Sequence, residues 1–131
     1  MRYFVSQPHE TRPSLVVETC ESITTDRIRA FRNDLFGRGC AHGLLFDEHE
    51  AVLLRDAFWT RSADSIKEEA RLSTDVVLHR AQGESLDARV QDWLARMASS
   101  WNEALPDDGD AAAALLHDVV PALSGSAVHA A

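Results

Sequence analysis

The sequence predicts an α/β fold, with a small mixed β-sheet, one crossover helix and further helices in the C-terminal part. Residues 15–20 begin with the continuously apolar run Leu-Val-Val, which is typical of a buried strand, and residues 24–36 repeat apolar side chains at helical spacing. Residues 41–46 and 51–56 are two more strand-like runs, joined by a short polar turn. A strand–helix–strand unit is expected to be parallel and right-handed. The chain should therefore contain a β-α-β crossover followed by an antiparallel hairpin.

Length and composition suit one globular domain. The chain has 131 residues, of which 45% are hydrophobic and 26% charged, enough to build a packed core. We expect one domain over residues 1–123 and a disordered tail over residues 124–131. The net charge of -8 argues against strong nonspecific binding to nucleic acid, because domains that hold duplex DNA are usually basic.

Nothing in the sequence indicates export or membrane insertion. No apolar run reaches the ~18 residues of a membrane helix, and the N-terminus lacks the pattern of a signal peptide. Cys20 and Cys40 are the two cysteines, and they should lie near opposite ends of the sheet, so a disulfide between them is not expected. These features predict a cytoplasmic protein.

The N-terminal residues predict a hairpin. Arg2–Ser6 contains Tyr3, Phe4 and Val5, which favour a strand. Residues 7–13 contain two prolines and read as a loose connection to the strand at residues 15–20, which should lie inside the sheet.

The crossover helix has a clear start and end. Thr24 or Thr25 can cap it, and Gly37 and Gly39 can end it. Its apolar stripe consists of Ile28, Phe31 and Leu35. Four arginines lie mostly off this stripe: Arg27, Arg29, Arg32 and Arg38. They form either an ordinary solvated face or a surface that binds phosphates.

The second half of the chain is mostly helical. Residues 65–72 fit either a strand or a helix, and a short helix should begin at Ser73 or Thr74 and run to about residue 81. Residues 86–105 predict the clearest helix and residues 111–123 a last helix perturbed by Pro121.

Several short motifs resemble the PD-(D/E)XK nuclease superfamily, which has the restriction-endonuclease-like fold. They are Leu-Val-Val-Glu-Thr-Cys at 15–20, the helix after it, and Gly-Leu-Leu-Phe-Asp at 43–47. Thr-Asp-Val-Val-Leu-His at 74–79 and Val-Gln-Asp-Trp-Leu at 90–94 also look like the later part of such domains. The resemblance implies a restriction-endonuclease-like half-core, as in small bacterial members.

In that superfamily, two strands supply carboxylates and a lysine around a Mg²⁺ or Mn²⁺ ion that activates water. Glu18 matches the motif glutamate, but Cys20 stands at the lysine position. The preceding strand, Arg2–Ser6, has no carboxylate, and Glu10 in the loop is the nearest candidate for a second metal ligand. The resemblance thus implies a degenerate site in which Glu18 is the one catalytic residue to match.

Three functions follow from these residues. The favoured one is a non-catalytic module that needs no cofactor and acts in protein assembly, as a homodimer or an accessory subunit. A truncated half-core should leave a sheet edge and an apolar helix face uncovered, and such surfaces need a partner. The first alternative is a divalent-metal-dependent nuclease that uses Glu18 with Glu10 or a partner's carboxylate. The second is a nucleic-acid-binding module that uses Arg27, Arg29, Arg32 and Arg38.

Overall fold

The computed structural model describes residues 1–123 and 126–130 and has a mixed α/β architecture built on a six-stranded sheet. The strands are β1 (Arg2–Ser6), β2 (Leu15–Thr19), β3 (His42–Phe46), β4 (Glu50–Asp56), β5 (Ile66–Ser73) and β6 (Ala127–Ala130). The helices are α1 (Thr25–Arg38), α2 (Thr74–Val77), α3 (Leu86–Ala104), α4 (Gly109–Asp118) and α5 (Val120–Leu123). A short 3-10 turn, Ala63–Ser65, precedes β5.

The sheet has the order β5-β4-β3-β2-β1-β6, and β2 and β3 are its parallel pair. Val16 pairs with Gly43 and Glu18 with Leu45, so the two motif segments lie side by side at the centre. The remaining neighbours are antiparallel. The predicted N-terminal hairpin, crossover and β3–β4 hairpin are therefore confirmed.

Each face of the sheet has its own core. Helix α1 covers one face, where Phe31 and Leu35 pack in the same cluster as Val16 and Leu45. The C-terminal helices cover the other face, where Trp93 of α3 meets Phe46 edge to face with ring centroids 5.8 Å apart. The continuous Leu-Val-Val run of β2 is fully buried because both faces are covered.

Gly43 sets how closely α1 approaches the sheet. A Cβ at this position would lie 2.6 Å from Leu35 Cδ1 and 2.8 Å from Phe31 Cε2. Only a residue without a side chain lets the apolar stripe of α1 rest directly on β3. This close packing sets the distance between α1 and β3 at Phe31 and Leu35.

The C-terminal half differs from the prediction in detail. Residues 65–72, left open between strand and helix, belong to β5, and the following helix α2 ends at Val77, before the predicted residue 81. The predicted helix over residues 111–123 is divided at Val119 into α4 and α5. Pro121 has no backbone N–H to continue the ladder of α4, which accounts for the break.

The tail and the sheet edge also differ from expectation. Of the predicted disordered tail, residues 124, 125 and 131 lie outside the described part, but Ala127–Ala130 forms β6 against β1. Strand β6 thus pairs with β1 and becomes the edge strand on this side of the sheet. The other edge strand, β5, is lined with charged side chains, Lys67, Glu68, Glu69 and Arg71, which disfavour edge-to-edge pairing. No described helix is long and apolar enough to cross a membrane.

Candidate functional site

Glu18 lies near the C-terminal end of β2, on the sheet face covered by α1. Its side chain is only 6% exposed, although a buried carboxylate is costly unless it is paired. Two guanidinium groups meet it: Arg2 donates from Nε to Oε1 at 2.7 Å, and Arg27 donates from Nη2 to Oε2. Both carboxylate oxygens are thus occupied by arginines.

The strand register and one helix cap bring these arginines to Glu18. Arg2 is the direct cross-strand partner of Glu18 in the antiparallel β1–β2 pair. Arg27 lies in the first turn of α1, where its backbone N–H donates to the capping Thr24 hydroxyl. Arg2 also pairs with Asp34 of α1, with Nη1 3.4 Å from Oδ2. We call Glu18, Arg2, Arg27 and Asp34 the Glu18 ion-pair cluster.

The position that the resemblance assigns to a second carboxylate strand thus carries a cation. Arg2 lies on the strand that precedes the Glu18 strand, where a metal site would need an acid. A divalent ion bound at Glu18 would have to displace two charge-assisted hydrogen bonds and lie beside two positive charges. The arrangement holds Glu18 as a structural ion-pair partner.

Cys20, at the place of the motif lysine, does not supply a fixed charge. Its backbone N–H donates to Phe46 O, and the thiol is half-buried. Burial, followed by the nearby Asp47 carboxylate, raises the pKa of Cys20, so the neutral thiol is favoured at neutral pH. Both cysteines are free.

Glu10 is not brought to Glu18. It lies exposed in the loop between β1 and β2, next to the N-terminal end of β2, whereas Glu18 is near the C-terminal end. A strand rises about 3.3 Å per residue, so the length of β2 separates the two carboxylates. No group of three or more potential metal-ligating residues occurs within residues 1–123 and 126–130.

The four arginines of the alternative phosphate-binding face have other surroundings. Arg27 pairs with Glu18, Arg29 with Asp26 and Arg38 with Asp34. Arg38 also stacks over Phe4, with its guanidinium carbon 4.5 Å from the ring centroid. Arg32 has a buried Nε without a hydrogen-bond partner in the described residues. Three of these four charges are thus already matched by carboxylates.

A second charged group, which sequence reasoning missed, surrounds the buried Asp118 of α4. His117 Nδ1 lies 3.1 Å from Asp118 Oδ1, and His42 Nε2 and Arg55 Nη1 each lie 3.7 Å from the same oxygen. These side chains line a shallow cavity of about 560 Å³ together with Phe58 and Trp59. Burial lowers the pKa of His42, and the Asp118 carboxylate only partly opposes this. His42 and Arg55 are cross-strand partners in the β3–β4 hairpin, whereas His117 and Asp118 lie more than 60 residues later at the end of α4. No local sequence pattern indicates that these segments meet.

The loop after β4 presents the most exposed large apolar side chains of the described residues. Phe58 is 75% exposed and Trp59 is 74% exposed. Phe58 flanks a cavity of about 280 Å³ with Phe36, Arg12 and Arg61. We call these four residues the aromatic–arginine groove. Two adjacent aromatic residues, Phe58 and Trp59, in the otherwise polar segment between β4 and β5 are the sequence signal that could have indicated this surface.

Comparison with known proteins adds no relative to this description. No family model matches the sequence, and no curated protein or solved structure matches the chain significantly.

Proposed function

We propose that this chain is a non-catalytic module, related in design to restriction-endonuclease-like domains, that acts by binding another polypeptide. The observation that carries the proposal is the double engagement of Glu18 by Arg2 and Arg27. The one acidic residue that fits the nuclease motif serves in this arrangement to join β1, β2 and α1. A cytoplasmic location fits the two free cysteines.

Electrostatics favour this function over metal-dependent cleavage. A metal site collects carboxylates, so that the cation offsets their mutual repulsion. The Glu18 ion-pair cluster contains two carboxylates and two arginines, and Arg38 pairs with Asp34 as well, so its negative charges are already fully matched. Adding a divalent cation would therefore leave an uncompensated positive charge in a half-buried place.

The surface supports the protein-binding part of the proposal. Aromatic residues and arginine are enriched at protein interfaces, and Phe58, Trp59 and Arg61 occur together in one exposed loop. The acidic net charge and the paired state of Arg27, Arg29 and Arg38 make the nucleic-acid alternative less favourable.

The metal part is tested by thermal unfolding and by a cleavage assay with Mg²⁺ or Mn²⁺. We expect neither ion to raise the Tm of the wild-type protein, and we expect no DNA or RNA cleavage that depends on Glu18. Cleavage by the wild type that is lost in Glu18→Gln, while Glu21→Gln retains it, would refute the proposal.

The assembly part is tested by sedimentation velocity over a range of protein concentrations, alone and with candidate partner proteins. A complex that forms with wild type and is weakened in Phe58→Ser and Trp59→Ser supports the proposal. Leu116→Ser is the matched control, because Leu116 is another exposed apolar side chain, located on α4. Equal weakening by all three substitutions would argue against a specific binding surface.

A further inference from the structure

The aromatic–arginine groove lies between the C-terminal end of α1 and the loop after β4. Phe36 and Phe58 contribute exposed rings, and Arg12 and Arg61 contribute exposed guanidinium groups. The Arg12 side chain passes close to Gly39, which ends α1 in the left-handed conformation with φ 64°. An added Cβ there would lie 3.0 Å from Arg12 Nη1. The absence of a side chain at Gly39 thus leaves room for Arg12 beside the groove.

The backbone at Phe58 is held in an uncommon conformation. Its φ of 58° lies in the left-handed region, which is unfavourable for a bulky residue. The Asp56 carboxylate holds the loop by accepting from Phe58 N at 2.7 Å and from Ser65 Oγ at 2.6 Å. This conformation displays the Phe58 ring to solvent. Strain of this kind is found preferentially at binding and catalytic sites.

The charges of the groove are open to a ligand. In the described part of the chain, no carboxylate lies within salt-bridge distance of Arg12 or Arg61. Asp56 also lines the cavity and brings one negative charge, and its Oδ1 accepts hydrogen bonds from Phe58 N and Ser65 Oγ. The two arginines still leave the lining with more positive than negative charge. Two unpaired guanidinium groups next to two rings suit a ligand that carries both a carboxylate and an apolar side chain.

The size of the cavity and the net charge of the protein favour an acidic protein segment over a nucleic acid as the ligand of the groove. A cavity of about 280 Å³ holds one or two side chains rather than a chain of nucleotides. Nucleic-acid affinity comes from many phosphate contacts, whereas the groove has two free cations in a protein with a net charge of -8. A short acidic segment of a protein meets far less repulsion than a polyanion.

We propose that the aromatic–arginine groove binds an acidic segment of a partner protein, with a carboxylate held by Arg12 and Arg61 and a neighbouring apolar or aromatic side chain placed between Phe36 and Phe58. This inference rests on the proposed function, because it names the partner chemistry of a module that acts through protein contacts. The backbone of Phe58 is already held by Asp56, so this part of the loop need not be ordered when the groove is filled.

The test uses the smallest probe with both features, N-acetyl-tryptophan, and its uncharged counterpart N-acetyl-tryptophanamide. Binding is followed by amide chemical shifts in two-dimensional NMR of the full chain. We expect shifts at Phe36, Gly39 and Arg61 that saturate with the carboxylate probe, and affinity roughly fivefold or more weaker for the amide.

Substitutions in the groove test which side chains bind the carboxylate of the probe. Arg12→Gln and Arg61→Gln are each expected to reduce affinity for the carboxylate probe to near that of the amide. Arg29→Gln is the matched control, because Arg29 is an exposed arginine of α1 that pairs with Asp26. Phe58→Gly should fold, since glycine accepts positive φ, and should bind both probes more weakly. Circular dichroism checks that each variant is folded.

Each remaining outcome overturns the inference. Equal binding of the two probes, shifts outside the groove, or no difference between the Arg12, Arg61 and Arg29 variants excludes carboxylate recognition there. If oligothymidylate binds more tightly than N-acetyl-tryptophan and shifts the same backbone amide signals, the groove is assigned to single-stranded nucleic acid. Shifts at the groove that depend on protein concentration without any probe assign it to a second copy. Glu18-dependent cleavage would refute the proposed function without changing these readouts, so the two failures are distinguishable.

Discussion

Arg2 lies directly across the β1–β2 strand pair from Glu18, and its Nε donates to Glu18 Oε1 at 2.7 Å. In a metal-dependent nuclease of the kind considered above, the strand beside Glu18 would supply a second carboxylate. Here that strand, β1, supplies the positively charged guanidinium of Arg2. Together with the contact from Arg27, this cross-strand contact places the Glu18 carboxylate in an ion-pair cluster. It also ties the first strand of the chain to the centre of the sheet.

Removing the charge of Glu18 should strongly destabilise the fold. In Glu18→Gln, the half-buried Arg27 loses its carboxylate partner and Arg2 keeps only Asp34, so we expect the free energy of unfolding to fall by about 2 kcal/mol or more. Urea unfolding at neutral pH measures it. Glu21→Gln is the control, because Glu21 is exposed and should change stability by less than about 0.5 kcal/mol. If Glu18→Gln lowered the free energy of unfolding no more than Glu21→Gln does, the Glu18 ion-pair cluster would not contribute to stability.

A methyl group at Gly43 should push α1 away from the sheet. Gly43→Ala places Cβ 2.6 Å from Leu35 Cδ1, and such overpacking typically costs about 1–3 kcal/mol. Gly37→Ala is the matched substitution within α1, where a Cβ meets nothing within 4 Å. It should raise the free energy of unfolding by up to about 1 kcal/mol through helix propensity. Thermal unfolding should thus shift in opposite directions for the two variants, and a shift in the same direction would contradict the packing.

The ionised Asp47 carboxylate should stabilise the fold, and this stabilisation should be lost in acid. Burial acts to raise the pKa of Asp47, but hydrogen bonds from the backbone N–H groups of Glu50, His49 and Ile23 outweigh it, so the pKa is lowered. A lowered folded-state pKa contributes stability above the unfolded value of about 3.8, and this is lost as the pH falls through the folded-state value.

Asp47→Asn should therefore be less stable than wild type by about 1–3 kcal/mol at neutral pH. The difference should shrink at the lowest pH at which both proteins stay folded. Urea unfolding across the acid range measures it. A constant difference at every pH would assign the loss to changed side-chain geometry rather than to the carboxylate charge.

His42 should contribute a second, milder acid sensitivity. Burial lowers its pKa below 6.5, with the neighbouring Arg55 and His117 charges adding to this effect and Asp118 and Glu69 opposing it. The unfolded chain therefore takes up this proton first, so the stabilisation is full above about pH 6.5 and declines as the pH falls towards the folded-state value.

We expect the free energy of unfolding of His42→Asn to change less than that of wild type between about pH 7 and pH 5. His9→Asn is the control, because His9 is exposed and Asn tolerates its φ of 74°. The control should keep the wild-type pH profile. A flattened profile in the control instead would show that His42 is not the titrating group.

Much of the central fold was predictable because its signals are local. The Leu-Val-Val run of β2 has apolar side chains pointing to both faces, and such a pattern occurs only where both faces are covered. Thr24, Gly39 and the stripe of Phe31 and Leu35 set the bounds of α1 to within about two residues. The signals of residues 65–72 conflict, and pairing with β4 decided for a strand against the helix propensity of Lys-Glu-Glu-Ala.

Short-range patterns of apolar and polar side chains were enough to predict the mixed α/β fold, and they marked Glu18 as the acidic residue of the buried strand β2. Which groups surround Glu18 depended on the tertiary structure instead. Its arginine partners are 16 and 9 residues away along the chain, and β6, which covers the edge of β1, comes from the far end of the chain. Strand register and helix placement bring such groups together, and these depend on the packing of the whole chain rather than on any local segment.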